Sequence, residues 1–489
     1  MQPGKQDRMT DGHRGRLTLD EFDVVVLGAG PTGENLAERA RAGGLTVAVV
    51  EAELVGGECS YWACMPSKAL LRPPAARGDA RRVAGAREAV TGALDVAAVL
   101  DRRDGFASHW NDDGQVTWLE DAGLVLVRGH GRLEGERRVA VATADGGRRV
   151  MTARHAVAVC TGTRAALPDI PDLAEARPWT SREATSSGHV PSRLAVVGGG
   201  VVACEMAAAW GALGSEVVML VRGSRLLARM EPFAGELIAE NLRTAGVDVR
   251  FGVSVVEAGR DGRVTLTLAG GETVTADEVL FATGRVPATA DLGLETVGLT
   301  PGEPIEVDAT GRAVGVSGGW LYAAGDVNGR ALLTHQGKYQ GRIFGQVIAD
   351  RAAGRELDTA AWGRNVATAD ERAVPQVVFT DPEVASVGLT LDEATRRGHR
   401  VRAVDYDLGG VAGASLFADD YRGRARAVVD LDRETLLGVT FVGPGVAELL
   451  HSATIAVTAE VPIARLWHAV PAYPTISEIW LRLLETYRG

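Results

Sequence analysis

The sequence predicts an α/β protein with two similar βαβ units and a C-terminal α+β domain. Each unit begins with a buried strand that runs into a glycine turn, first at 23–33 and again at 194–203. A helix and a second strand follow both turns, which makes the repeat far more specific than a lone glycine motif. From Val374 onward, strand-like and helical segments continue without such a turn. A chain of 489 residues is also too long for one compact core.

In the first unit a helix runs to Arg41, and a second strand at 46–50 ends at Glu51. In the second unit a helix runs to about Leu213, and a strand at 216–221 follows. Glycines in the turns permit the close approach of a pyrophosphate, which then lies at the helix N-terminus. They are Gly28, Gly30 and Gly33 in the first unit, and Gly198 and Gly200 in the second. The units are therefore predicted to be Rossmann-like dinucleotide-binding domains.

Apolar patterns predict the remaining elements. A helical stretch runs from Ser67 to about Asp101, and strands are expected at 124–127, 138–142, 155–160, 278–282 and 320–324. The C-terminal domain is expected to contain strands at 376–379, 401–406, 425–429 and 438–442, with helices near 446–459 and from Ser477. The predicted division is a disordered tail (1–19), a first nucleotide domain in two parts (20–165 and 300–365), a second nucleotide domain (166–299) and a dimerisation domain (366–489).

Composition excludes several classes of function. A net charge of −11 argues against a nucleic-acid partner, which would favour a basic face. No apolar run reaches the ~18 residues of a membrane-spanning helix, and the first twenty residues lack the apolar core of a signal peptide. We therefore expect a cytoplasmic protein with no membrane partner. We expect no metal site from the sequence.

Two of the four cysteines, Cys59 and Cys64, lie in a short run that begins five residues after the first βαβ unit. That position brings two thiols within reach of the reactive ring of a bound dinucleotide, which suggests a redox-active disulfide. Pro66 suits a first helical turn, so Cys64 should lie near a helix N-terminus that lowers its pKa. The alternative is a pair of buried, inert thiols. Cys160 and Cys204 lie in apolar surroundings and are expected to be inert.

With these motifs in order, the chain resembles the flavoprotein disulfide reductases over about residues 20–489. This family includes dihydrolipoamide dehydrogenase, glutathione reductase and mercuric reductase. The resemblance implies FAD in the first unit, NAD(P)H in the second, and a homodimer in which the partner's C-terminal segment completes the active site. It implies FAD contacts at Gly28, Gly30, Gly33, Glu51, Lys68, Gly131, Thr161, Gly162, Gly325 and Asp326. Glu51 would bind the adenosine ribose and Asp326 the ribityl chain. Nicotinamide-nucleotide contacts would fall at Gly198, Gly200, Arg222, Arg225 and Gly284.

The resemblance also assigns roles at the cysteine pair. Cys64 would face the flavin and Cys59 would exchange with the substrate. Lys68, on the same helix as Cys64, would lie beside the flavin with Glu205 as its partner. Electrons would pass from NAD(P)H through FAD and the Cys59–Cys64 disulfide to an acceptor, or in reverse.

The sequence departs from the family at the C-terminus. Tyr473 occupies the place of the family's catalytic histidine, whereas the glutamate that orients it is retained as Glu478. A phenol with a pKa near ~10 is a poor base at neutral pH. His468 could act instead, or could be a surface residue, and Glu478 could simply be an acid in the first turn of the last helix. The tail also lacks the C-terminal cysteine pair of mercuric reductase.

A second departure lies between the cysteines, where Tyr61 and Trp62 could narrow the disulfide pocket, offer a stacking surface, or pack in the core. A third concerns the coenzyme. Val221 stands where NAD-specific units carry an acid, and positive charge follows at Arg222 and Arg225, with Arg229 as a further candidate. This favours NADPH, with NADH possible; the alternative is a solvated basic loop.

The leading hypothesis is therefore an enzyme, an FAD-dependent NAD(P)H oxidoreductase that reduces a disulfide or another small-molecule acceptor. A second hypothesis sends the electrons to a quinone or oxygen and leaves the cysteines as an electron store. A third is a flavin-bearing redox sensor.

Overall fold

The structure is a computed structural model and describes residues 19–489. Its first sheet is formed by strands β1 (Leu19–Leu27), β2 (Val47–Glu51), β3 (Val125–Arg128), β4 (His130–Leu133), β5 (Arg138–Ala142) and β6 (Arg148–Val159). The helices of this segment are α1 (Pro31–Ala42), α2 (Gly57–Tyr61), α3 (Cys64–Arg81), α4 (Val96–Phe106) and α5 (Asp113–Asp121). The strand order is β3-β2-β1-β6-β5-β4. Strands β3, β2, β1 and β6 are parallel, and their carboxyl ends therefore share one edge of the sheet.

A second segment forms its own sheets. Its elements are β7 (Thr163–Ala165), α6 (Leu173–Ala176), α7 (Ser181–Ser186), β8 (Arg193–Val197), α8 (Val201–Ala212), β9 (Glu216–Val221), α9 (Pro232–Thr244), β10 (Asp248–Phe251), β11 (Val255–Asp261), β12 (Arg263–Leu268), β13 (Thr273–Ala276), β14 (Glu278–Phe281) and β15 (Arg285–Pro287). Strands β10-β9-β8-β14 form a parallel sheet, and β11-β12-β13 form an antiparallel one. Strands β7 and β15 pair where the chain leaves the first segment and returns to it.

The chain then rejoins the first sheet. Strand β16 (Leu321–Ala323) pairs in parallel with β6, and helix α10 (Thr334–Ala352) packs along α1. Glycines permit this close packing: a Cβ atom added at Gly341 would lie only 2.6 Å from the carbonyl oxygen of Thr32. The packing of α10 on α1 therefore places the start of α10 beside the first glycine turn.

The C-terminal domain is an antiparallel sheet with helices packed on it. Its elements are α11 (Ala369–Arg372), β17 (Pro375–Val378), β18 (Glu383–Gly388), α12 (Leu391–Arg396), β19 (Val401–Asp407), α13 (Ala412–Phe417), β20 (Arg424–Asp430), β21 (Thr435–Gly443), α14 (Leu450–Thr458), α15 (Ile463–Leu466) and α16 (Ile479–Arg488). The strand order is β17-β18-β21-β20-β19. Buried residues of the sheet and of α14 and α16 share one hydrophobic core.

The predicted α/β class with a C-terminal α+β domain is confirmed, with local corrections. The helical stretch predicted from Ser67 is two α-helices, α3 and α4, and the segment at 82–95 between them contains only a short 3₁₀ turn at 87–89. The last helix begins at Ile479, after a short 3₁₀ turn at 476–478. The predicted tail falls almost entirely outside the described residues. No helix within 19–489 is long and apolar enough to cross a membrane.

Candidate functional site

The two glycines that begin the cysteine run bring it against the first glycine turn. Gly56 and Gly57 have positive φ (111° and 57°), and a Cβ atom on Gly57 would lie 2.9 Å from the Cα atom of Gly30. Helix α2 begins at this contact and carries Cys59. Cys64 is the first residue of α3. Both cysteines are free thiols and partly buried, so the predicted disulfide between them stays a prediction.

Hydrogen bonds and nearby charge make the two thiols unequal. The pKa of Cys64 is lowered to about 6, mainly because the Cys59 thiol hydrogen-bonds to it, with help from the Thr334 hydroxyl and the positive charge of Lys68. The Sγ atom of Cys64 lies 3.2 Å from the Oγ1 atom of Thr334, and both residues begin long helices. Two helix N-termini therefore favour the Cys64 thiolate. The same hydrogen bond, together with burial, raises the pKa of Cys59.

Lys68 lies one turn beyond Cys64 and forms an ion pair with Glu205 of α8. Its Nζ atom is 2.7 Å from a carboxylate oxygen of Glu205, whose side chain is only 4% exposed. The other carboxylate oxygen accepts the backbone N–H of Phe379 at 2.9 Å. The Lys68 ammonium also lies 5.1 Å from the centre of the Phe379 ring. The structure thus contains the expected pair and holds it between three segments of the chain.

The first glycine turn has the geometry of a dinucleotide site. Gly28 has φ of +100°, and an added Cβ atom would lie 2.6 Å from the carbonyl oxygen of Cys160. Glu51, at the end of β2, accepts the N–H groups of Ala29 and Glu53 at 2.7 and 2.8 Å. Glu34, which the sequence analysis missed, has a buried oxygen with no hydrogen-bond partner within residues 19–489. The structure therefore has a narrow turn beside one buried carboxylate oxygen, on Glu34, that lacks a hydrogen-bond partner within residues 19–489.

The other residues predicted to contact FAD lie at the same edge of the first sheet. The Thr163 hydroxyl donates to the partly buried carboxylate of Asp326 at 2.8 Å, and desolvation raises the pKa of Asp326. The hydroxyl of Thr161 donates to the carbonyl oxygen of Ala288 at 2.9 Å. The predicted glycines fall into two groups. Gly131, Gly325 and Gly33 pack closely against neighbouring atoms, whereas a Cβ atom at Gly162 would meet nothing within 4 Å. That open space at a strand end fits a bound cofactor.

The second glycine turn repeats this arrangement. An added Cβ atom at Gly198 would clash with the carbonyl oxygen of Ala282, whereas one at Gly200 or Gly284 would meet nothing within 4 Å. Space is therefore left at the N-terminus of α8, where a pyrophosphate would fit. Arg222 is exposed, and Arg225 donates to the carbonyl oxygen of Ala228 at 2.9 Å. Across the described residues, no carboxylate forms an ion pair with either arginine.

Within residues 19–489, no hydrogen bond joins either cysteine to Tyr473, His468 or Glu478, which are the residues predicted to complete the active site. Tyr473 is 77% exposed and His468 is also exposed. Glu478 is buried; one of its oxygens accepts a hydrogen bond from Arg482 at 2.7 Å, and the other has no partner within residues 19–489. Their assignment to the active site of a partner subunit stays a prediction.

The two aromatic residues between the cysteines behave differently. Tyr61 is buried, and its hydroxyl donates to the carbonyl oxygen of Val55 at 2.9 Å, so it packs in the core. Trp62 is partly exposed and is covered by the guanidinium of Arg182, 4.3 Å from its ring centre. Arg182 also donates to Glu58, the residue before Cys59, at 2.6 Å. Tyr61 is therefore not available to an acceptor, and Arg182 occupies one face of Trp62.

Family models match both parts of the chain. The pyridine nucleotide-disulphide oxidoreductase model matches residues 22–341, and the dimerisation domain of the same family matches residues 374–483. The chain belongs to this family. It is therefore an oxidoreductase of an FAD-dependent family that uses NAD(P)H, as the resemblance predicted.

Curated relatives agree with this membership. The chain is 31% identical to mercuric reductase of Staphylococcus aureus, over 98% of this chain and 84% of the relative. It is 32% identical to dihydrolipoyl dehydrogenase 3 of Pseudomonas aeruginosa, over 94% and 96%. It is 30% identical to glutathione reductase of Burkholderia cepacia, over 95% and 98%. Relatives with such different substrates identify the family and leave the acceptor of this chain open.

Solved structures of the family share the fold. The HOCl-induced flavoprotein disulfide reductase RclA of Escherichia coli superposes with a TM-score of 0.79 at 23% identity, over 95% of this chain and 99% of that one. LpdA of Mycobacterium tuberculosis superposes with a TM-score of 0.80 at 25% identity, over 96% and 99%.

Proposed function

We propose that the protein passes electrons from NADPH, through FAD and the Cys59–Cys64 pair, to a disulfide or another small-molecule acceptor. The observation that carries this proposal is the asymmetry of the two thiols, with a stabilised Cys64 thiolate beside Thr334 and Lys68. When bound, FAD supplies a two-electron carrier between the nicotinamide and the cysteines. Gly28, Gly30, Glu51 and Asp326 would hold it, and Lys68 with Glu205 would fix the charge beside it.

The cysteine chemistry balances for a disulfide acceptor. The sulfur of Cys59 attacks one acceptor sulfur and forms a mixed disulfide, while the other acceptor sulfur leaves with the electron pair of the broken bond. The Cys64 thiolate then attacks the sulfur of Cys59, closes the Cys59–Cys64 disulfide and releases the second acceptor thiolate. The proton of Cys59 ends on one of the two released sulfurs. The Cys59–Cys64 disulfide would return to the Cys59 thiol and the Cys64 thiolate by gaining two electrons and one proton, the equivalent of the hydride that NADPH supplies when bound.

We further propose that a homodimer completes this site with the partner's C-terminal segment. The match of residues 374–483 to the family's dimerisation domain supports the dimer. The exposure of Tyr473 supports a position at such an interface. We propose with it that residues 20–165 and 300–365 form the FAD domain, 166–299 the NAD(P)H domain and 366–489 the dimerisation domain.

Anaerobic titration with NADPH tests the central proposal. We expect the FAD-loaded protein to take up four electrons per subunit, two in the flavin and two in the cysteine pair, and free thiols to appear by thiol titration. Uptake of only two electrons, without new thiols, would remove the cysteines from the reaction. Under turnover with a disulfide acceptor, NADPH consumption should continue; a single reduction that then stops would indicate a sensor.

A quinone or oxygen reductase is the second candidate, and the exposed Tyr473 favours it, because a phenol is a poor base for thiol exchange. Such an enzyme would need no exchange at Cys59. NADPH consumption by the FAD-loaded protein, measured with a quinone and with a disulfide as acceptor, separates the two candidates.

Coenzyme preference gives a separate prediction. Within residues 19–489 no carboxylate neutralises Arg222 or Arg225, so both charges can act on a 2′-phosphate. A hydrogen bond to a charged group contributes about 1.5–3 kcal/mol. Arg222→Ala should therefore lower kcat/KM with NADPH by roughly 10–100-fold. The value with NADH, measured in parallel as the internal control, should change little. A higher kcat/KM with NADH in the wild-type protein, unchanged in the variant, would contradict the assignment.

A further inference from the structure

The loop at 222–230, which carries both coenzyme arginines, ends at a buried glutamate that faces another domain. Glu231 immediately precedes α9, yet its carboxylate makes no capping bond to that helix. One oxygen instead accepts the backbone N–H of Leu391 at 2.8 Å, and the other accepts Arg426 at 2.7 Å. Both partners belong to the C-terminal domain, and Glu231 is only 2% exposed. The end of the coenzyme loop is therefore fixed by the dimerisation domain.

Arg426 is itself held rigidly. It lies on β20 and donates twice to Asp405 of the neighbouring strand β19, at 2.7 and 2.8 Å. Its guanidinium also lies 5.4 Å from the centre of the Phe233 ring on α9. Because a planar guanidinium donates in fixed directions, these contacts leave Arg426 little freedom to follow Glu231. The C-terminal domain thus offers a fixed anchor.

The loop is fixed at several points between its two ends. It begins at the end of β9, and the N–H of Leu227 donates to the carbonyl oxygen of Gly199 at 2.8 Å. The missing side chain at Gly235 lets α9 lie directly against the carbonyl of Leu226. Arg222 and Arg225 therefore lie on a short span that β9 and the Leu226–Leu227 contacts hold on one side, and the Glu231–Arg426 contact fixes its far end.

We propose that Glu231 and Arg426 are positioning residues for coenzyme selectivity: they hold the 222–230 loop where its arginines meet the 2′-phosphate. The dimerisation domain then contributes to the choice of nicotinamide coenzyme without touching it. This inference rests on the proposed preference for NADPH.

Binding of two probes to the FAD-loaded protein tests it. Adenosine 2′,5′-bisphosphate carries the 2′-phosphate and 5′-AMP lacks it, and their affinities can be measured by titration calorimetry. In Glu231→Gln we expect the affinity for the bisphosphate to fall about tenfold, as is typical of coupling between separate sites. The affinity for 5′-AMP should change less than twofold, because its contacts are made by the glycine turn.

The chain offers a matched control. Arg422 and Glu240 join the same two regions by an ion pair of 3.6 Å, but both side chains are largely exposed. Exposed pairs contribute little, so Arg422→Ala should leave both affinities unchanged. Should Glu231→Gln fail to fold, Arg426→Lys keeps the charge but loses the fixed geometry, and the same selective loss is expected.

Three outcomes overturn the inference, and they are distinguishable. An equal loss for both probes in Glu231→Gln would show a merely structural role. Unchanged affinities in a folded variant would show that the anchor is irrelevant to the loop. If the wild-type protein binds the two probes with equal affinity, the proposed preference for NADPH is wrong. The inference, which rests on that preference, is then wrong as well.

Discussion

Replacing Cys59 by serine should abolish disulfide reduction, with a loss of roughly 10³-fold or more in kcat/KM, as for removal of an enzyme nucleophile. A serine oxygen cannot form the mixed disulfide, and Cys64 then has no partner sulfur with which to close a bond. Electron uptake in the anaerobic titration should fall from four to two per subunit. NADPH-dependent quinone reduction should survive, because it requires only the flavin.

Cys160→Ser is the matched control for that experiment. Cys160 is buried, and burial raises its pKa to about 12, so it supplies no thiolate at neutral pH. This variant should retain four-electron uptake and full disulfide turnover. Persistent disulfide turnover in Cys59→Ser would contradict the role given to the cysteine pair, whatever the control shows.

Restoring a histidine at position 473 should raise disulfide turnover, by about 10²-fold if thiol protonation limits the rate. We expect Glu478 to accept the histidine N–H, since one of its oxygens is buried without a partner within residues 19–489. In Tyr473→His the rate should acquire a dependence on a group that titrates near neutral pH, whereas the tyrosine protein should lack it. A pH–rate profile of both proteins with the same disulfide acceptor measures this.

Tyr473→His/Glu478→Gln is the control, because glutamine keeps the size of the side chain and removes the charge that would orient and stabilise the imidazolium. Most of the gain should disappear in this double variant. An unchanged rate in the single variant would mean that proton transfer at this position does not limit turnover, and it would favour acceptors that need no thiol exchange.

Local pattern was sufficient to predict the framework of the site. The two glycine turns, with β9 at 216–221 and β5 at 138–142, follow from buried runs bounded by glycine. Strands β11–β13 were missed, because short strands with one solvent-facing side carry many polar residues and resemble loops. The break between α3 and α4 was also missed, although Gly85, with positive φ, and the N-cap residue Asp95 mark it.

Contacts between distant segments could not be predicted from the residues. Thr334 lies 270 residues from Cys64, and nothing in its neighbourhood of the sequence identifies it as a thiolate partner. The Lys68–Glu205 pair was anticipated only through the family resemblance, for the same reason. The burial of Tyr61 depends on the carbonyl oxygen of Val55 being free to accept its hydroxyl, which is a property of the folded loop.

The β7–β15 ribbon has a consequence for how this architecture could arise and be re-engineered. Thr163 and Pro287 lie opposite each other in the paired strands β7 and β15. The segment between them therefore leaves the first domain and returns to it at adjacent positions. Such an insertion can be transplanted without disturbing its host, as far as chain connectivity is concerned. The side chains of the inserted segment set a stricter condition. Glu231 at the end of the coenzyme loop is paired with Arg426 of the C-terminal domain. A transplanted segment therefore needs a host that supplies an equivalent arginine.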